Sequence, residues 1–167
     1  SIGYHKVTVD IRDQIARTVV EESFLNHTPD PLEGVFYFPL PAGASVSGFG
    51  MWIGDTLVEG EIVEKERARE VYEQLVHEKK DPGLLEWSGG NLFTTRVYPI
   101  SGEKRVRLVY TQVLPREGAG FAYRYSLVNE LLRQHPLREL AINVTVASTP
   151  KIESVRSTRH AARIQAE

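Results

Sequence analysis

Glu64, Glu66, Glu70, Glu73 and Glu86 stand among the glutamates in the middle of the chain. Two carboxylates facing each other across a cleft are what glycoside hydrolysis needs, one as acid and the other as base or nucleophile. The glutamates of the 65–80 stretch stand beside Arg67, Arg69, Lys79 and Lys80, which is the composition of a solvated helix face. Glu86 differs, because it sits between Leu85 and Trp87 just after a turn. An ion pair from Glu86 to Arg96 or Arg105 accounts for such a carboxylate better than acid catalysis does.

Other chemistries find less support. His5, His27, His77, His135 and His160 show no HxH or HxxxH spacing, and no Asp-x-Asp-x-Asp-Gly loop is present, so neither metal site is expected. Ser23, Ser88 and Ser126 lack the G-x-S-x-G elbow of a hydrolase nucleophile. Gly48-Phe49-Gly50 and Ser88-Gly89-Gly90-Asn91 do not open a helix as a phosphate loop must, and read as turns. The chain has no cysteine, which removes disulfides, thiolate nucleophiles and zinc–thiolate sites together. No catalytic residue, metal or cofactor is therefore expected. Asn26-His27-Thr28 and Asn143-Val144-Thr145 satisfy the glycosylation sequon, the first in a turn and the second in an expected strand. Trp52, Trp87, Tyr37, Tyr98, Tyr123 and Tyr125 would stack on sugar rings if two or more shared an exposed face, as in a carbohydrate-binding module; otherwise they fill the core and its rim.

These residues must be positioned by sheet. Val7, Val9 and Ile11 alternate with polar neighbours, and Ile15 to Leu25 is a β-rich run expected to pair with that strand or with Gly34 to Leu40. Val46 to Ile53 and Thr56 to Val63 flank a Gly54-Asp55 turn, a hairpin pattern. Leu92 to Ile100 and Lys104 to Leu114 follow, and in the latter Val106, Leu108 and Tyr110 share one face while Arg105, Arg107 and Val109 share the other. Phe121 to Leu127 and Leu140 to Ala147 complete the set, with Asn129 to Pro136 left open as a helical turn or a loop. One helix interrupts the strands, at about 65–80: Ala68, Val71, Tyr72, Leu75 and Val76 form one apolar stripe, and Asp81-Pro82-Gly83 ends it. Many short strands with one amphipathic helix point to a mainly β fold, an antiparallel β-sandwich. At 167 residues, 41% hydrophobic and with net charge −2, the chain can bury a core and offers no global field for nucleic acid or an anionic membrane. No apolar run is long enough to span a bilayer as a helix.

The stretch from Gly60 onward resembles the signature of the VIT domain, the vault protein inter-alpha-trypsin module. The matching residues are Gly60, Glu64, Lys65, Ala68, Tyr72, Glu73, Gly83, Leu84, Leu85, Asn91 and Phe93, continuing through Val97, Pro99, Ile100 and Val106 to Tyr110. Upstream, Glu33 to Pro41 resembles the family's strand ending in a Leu-Pro corner, and the likeness runs in order over about residues 1–130. The resemblance implies a non-enzymatic protein–protein interaction and scaffolding module. Such a module normally accompanies a von Willebrand A domain of the same polypeptide, in secreted, cell-surface or large cytoplasmic assemblies. The Asp-x-Ser-x-Ser run of such a domain is absent from this chain. The expected division is a VIT-like sandwich at 1–135 and, at 136–167, a β extension and loosely held tail leading to a downstream domain. A chain starting at Ser1 is expected to derive from something longer. The expected interaction surface is the helix face and the connection after it, with Arg67, Arg69, Glu73, Asp81 and Trp87.

Overall fold

The structure, a computed structural model, describes residues 1–64, 84–87, 92–127 and 137–165. The helix expected at about 65–80, with its Ala68, Val71, Tyr72, Leu75 and Val76 stripe, lies outside the described residues, as does the segment from Asn129 to Pro136. The described part is mainly β. Its elements are β1 (Ile2–Arg12), β2 (Ile15–Leu25), β3 (Leu32–Pro39), β4 (Ser45–Ile53), β5 (Thr56–Glu59) and β6 (Glu61–Glu64). They continue with β7 (Leu84–Trp87), β8 (Leu92–Ile100), β9 (Glu103–Val113), β10 (Arg116–Glu117), β11 (Gly120–Phe121) and β12 (Glu139–Ala147).

One sheet has six strands in the order β12-β1-β2-β9-β4-β5, and a second has four in the order β3-β8-β7-β6. β10 and β11 form a separate small ribbon. Two pairs are parallel, β1 with β12 and β6 with β7, so the sandwich is mixed where alternation alone suggested antiparallel pairing throughout. β2 pairs with β1 and β9, and β3 pairs with β8 in the other layer. The hairpin expected from Thr56 to Val63 is divided at Gly60: β5 stays beside β4, and β6 joins the second sheet. Phe121 to Leu127, expected as a strand, keeps only Phe121 in the β10–β11 ribbon. Its remainder crosses the face of the large sheet as a strap, because its tyrosines face that sheet and bond to it rather than to a neighbouring strand. Ile152 to Val155, a possible strand by composition, belongs to no strand.

Period-two alternation decides which residues meet between the layers. On β9, Val106, Leu108 and Tyr110 turn inward as their spacing predicts. They meet Val20 of β2, Phe49 and Met51 of β4, Phe36 and Phe38 of β3, and Val97 and Ile100 of β8. Gly34 is the residue this interface leaves no room for: a Cβ there would lie 2.7 Å from the Phe36 ring and 2.8 Å from Ile100. A second cluster, Val7, Val9, Ile11, Ala16 and Leu114, lies under Tyr123, Tyr125 and Val146. The β1–β2 turn is tight, with Arg12 opposite Ile15 and Asp13 at φ 53°, a left-handed conformation that aspartate tolerates better than most side chains.

Candidate functional site

The strap contributes the main polar cluster of the large sheet's inner face. His5 of β1 and Glu22 of β2 are cross-strand partners, in phase with the inward residues Val7 and Val20. His5 Nδ1 lies 2.5 Å from Glu22 Oε1, and its Nε2 lies 2.7 Å from the Tyr125 hydroxyl. The ring is 4% exposed. An ionised carboxylate only accepts, so Nδ1 carries a proton toward Glu22, and in the neutral ring Nε2 then accepts from the phenol. Four residues from Glu22 along β2, the Thr18 and Tyr123 hydroxyls are 2.9 Å from each other.

A carboxylate, an imidazole and a hydroxyl in line are the parts of an activated nucleophile. Here the electrostatics run the other way. Burial, followed by the Glu22 charge, pushes the Tyr125 phenol well above its ordinary value, so it holds its proton rather than surrendering it. Burial raises Tyr123 likewise, against the opposing hydrogen bond from Thr18. The cluster acts as a clamp that fixes the strap across β1 and β2. Its sequence signal was available: His5 falls in the same alternation as Val7, Val9 and Ile11, and Glu22 in that of Val20, Thr18 and Ala16. A histidine and a glutamate in the inward phase of neighbouring strands mark a buried pair.

Beyond the clamp the surface becomes apolar and open. β12 lies at the end of the sheet beside β1, with Leu140, Ile142 and Val144 opposite His5, Val7 and Val9 and so on the same face. These three remain 40–48% exposed. After Ala147 the chain is rooted on the β1–β2 turn. The Asp13 amide donates to the Ala147 carbonyl, and Asp13 Oδ1 accepts from the Thr149 amide at 2.7 Å and from the Ser148 hydroxyl at 3.3 Å. From 150 to 165 it is exposed and belongs to no strand, with Ile152, Val155 and Ile164 uncovered. Among the described residues no group of three or more histidine or acidic side chains is arranged to hold a metal ion. No described helix is long and apolar enough to cross a membrane.

The residues singled out by sequence fall in several places. Val97 and Tyr110 are core residues, Phe93 packs against them half-buried, and Pro99 is exposed on β8. The Gly60 amide bonds the Phe49 carbonyl at 2.8 Å, which holds the crossing point between the sheets. Glu64 ends β6, and Leu84, Leu85, Glu86 and Trp87 make up β7, where Glu86 pairs with Val63 and Thr94 along the backbone. Ala68, Tyr72, Gly83 and Asn91, together with Arg67, Arg69, Glu73 and Asp81 of the expected interaction surface, lie outside the described residues. The Trp87 and Glu86 side chains do too. Arg105 donates to the Gly54 carbonyl, lies 3.3 Å from Asp55, and stacks over the Trp52 ring. Tyr37 is exposed on β3 in the other sheet, and Tyr123 and Tyr125 turn inward, so these aromatics do not share one open face with Trp52. Asn26 is committed within the fold: its Nδ2 donates to the Asp30 and Ile100 carbonyls, and its Oδ1 accepts from the Thr28 amide in an Asx turn.

The family model described as the vault protein inter-alpha-trypsin domain matches residues 2–111. Inter-alpha-trypsin inhibitor heavy chain H2 of Sus scrofa is 31% identical over 134 residues, 78% of this chain and 14% of that protein. Heavy chain H3 of Pongo abelii is 32% identical over 114 residues, 66% of this chain and 13% of that protein. Protein mono-ADP-ribosyltransferase PARP4 of Mus musculus is 30% identical over 101 residues, 60% of this chain but only 5% of its own length. The chain thus spans a small part of each curated relative it matches.

Proposed function

The chain belongs to the vault protein inter-alpha-trypsin (VIT) domain family, and on that premise we propose that it is a non-catalytic interaction module, a rigid sandwich that docks on a neighbouring domain. The observation that carries this reading is the run after β12. Its root is fixed on Asp13, while Ile152, Val155 and Ile164 stand in solvent. A run with a fixed root and uncovered apolar side chains is suited to lie against another body. The partner we favour is a von Willebrand A domain of the same polypeptide, as the family resemblance implies, in a secreted, cell-surface or periplasmic setting ahead of a cytoplasmic one. The clamp supports the non-catalytic part of the reading, since its phenol is held protonated by burial rather than activated.

Hydrogen exchange of residues 148–165 tests the proposal, comparing the chain alone with the chain joined to a von Willebrand A domain. Docking predicts fast exchange in the first and protection in the second. Equal, fast exchange in both would remove the docking role.

A further inference from the structure

The end of the large sheet carries a second interaction surface, distinct from the run after it. β12 has no strand on its outer side among the described residues, and from Leu140 to Ala147 it contains no charged residue and no proline. Natural edge strands are usually blunted by charge, proline or shortness. The opposite edge of the same sheet shows this protection by shortness: β5 has only four residues, Thr56–Glu59. β12 has nine residues and keeps Leu140, Ile142 and Val144 in the open.

We propose that β12 pairs with β12 of a second copy, antiparallel about a two-fold axis at Asn143, joining two six-stranded sheets into one. The sequence of the strand is self-complementary in that register. Leu140 falls opposite the second copy's Val146 and Ile142 opposite its Val144, so every pair on the inner face is apolar on apolar. On the outer face Asn143 meets itself between small neighbours, Ala141 and Thr145.

Charge agrees with the same register. Glu139 comes to lie opposite Ala147 of the other copy, and Ala147 is the β1 partner of Arg12. The arginine, mostly exposed and paired with Asp10 at 3.3 Å, is therefore separated by only one alanine across the sheet from the incoming Glu139, which is itself paired with Lys6 of its own chain at 3.3 Å, so that carboxylate lies between a cation of each copy. The two Glu139 side chains sit at opposite ends of the joint, so like charges do not meet. Shifting the register by one residue would turn the apolar set of one copy against the polar set of the other.

Sedimentation of the full chain from low to high micromolar concentration tests the pairing. The expected weight-average mass rises two-fold from the single-chain 18.8 kDa, and Ile142→Lys abolishes the rise while leaving the far-ultraviolet circular dichroism unchanged. A chain that stays at single-chain mass throughout, or a folded Ile142→Lys that still doubles, overturns the proposal. A second measurement does not depend on that variant folding. Because the chain has no cysteine, Asn143→Cys introduces a lone thiol at the proposed axis, and Thr56→Cys places one on the opposite edge. Mild oxidation is expected to give a disulfide-linked dimer many times faster with Asn143→Cys than with Thr56→Cys, and equal rates overturn the pairing. Neither outcome bears on exchange at 148–165, so this inference and the docking role stand or fall separately.

Discussion

The two buried clusters of the large sheet are held by different physics. Between the sheets, Phe36, Phe38, Phe49, Leu108 and their neighbours meet another layer of regular structure, and apolar area does the holding. Under the strap, the smaller set Val7, Val9, Ile11 and Ala16 is covered by a segment with no strand pairing of its own. That cover is fixed by directional bonds, His5 to Tyr125 and Thr18 to Tyr123. A sheet meeting a sheet needs only pattern and volume. A strap meeting a sheet needs a few polar groups placed one by one, because it brings too little apolar surface to fix its own position.

Truncation at the first cluster should give the largest effect. Phe49 is 1% exposed in the middle of the inter-sheet core, and Phe49→Ala should cost about 4 kcal/mol in chemical denaturation. A cost near that of a surface change would mean the layers are not packed as described. The second cluster should answer to the loss of one oxygen. Tyr125→Phe keeps the ring but leaves His5 Nε2 without its donor inside the protein, and about 1–2 kcal/mol should be lost. A neutral result would make the clamp incidental and erase the contrast.

Alkali should separate the clusters without mutation. Tyr123 and Tyr125 are both held above their ordinary 10.0 by burial, so the fold favours the neutral phenols. Their contribution is complete below about pH 10 and is lost as the pH rises beyond it, because the unfolded chain releases those protons first. The denaturation midpoint should fall between about pH 9 and pH 11, and fall less when both tyrosines are phenylalanine. An equal fall in that double variant would place the sensitivity elsewhere. The smallest effect belongs to Val113, 63% exposed at the end of β9, where Val113→Thr should stay within about 0.5 kcal/mol.

The apolar faces of both clusters were legible in the sequence, and the cover and polar fastening of the second were not. Val106, Leu108 and Tyr110 declare their face by alternation, as do Val7, Val9 and Ile11, since a strand's period is local information. Partner choice is not local. Nothing near Val7 says that it lies beside Ile142 in a parallel pair, or that β5 and β6, separated by one glycine, belong to different sheets. The strap was hidden for a related reason. Phe121, Tyr123 and Tyr125 alternate like a strand, but the two tyrosine hydroxyls find partners in His5 and Thr18 from distant parts of the chain, and those bonds replace a ladder. For the run from 148 to 165, the anchoring role of Asp13 was not visible until Thr149 was seen beside it.

The closure of the sheet around β1 also sets the order in which the protein can be built. Asp13 bonds a residue 136 positions downstream, and β12, the last described strand in chain order, lies against the first. Until β9 and β12 have been synthesised, the β1–β2 hairpin has neither flanking strand, and its inward valines have nothing to cover them. Loop-closure entropy must be met before such remote pairings return any stability, which favours slow folding, milliseconds to seconds for all-β topologies of this kind. On the ribosome the nascent hairpin would wait with both edges open, the interval in which β proteins are most exposed to aggregation.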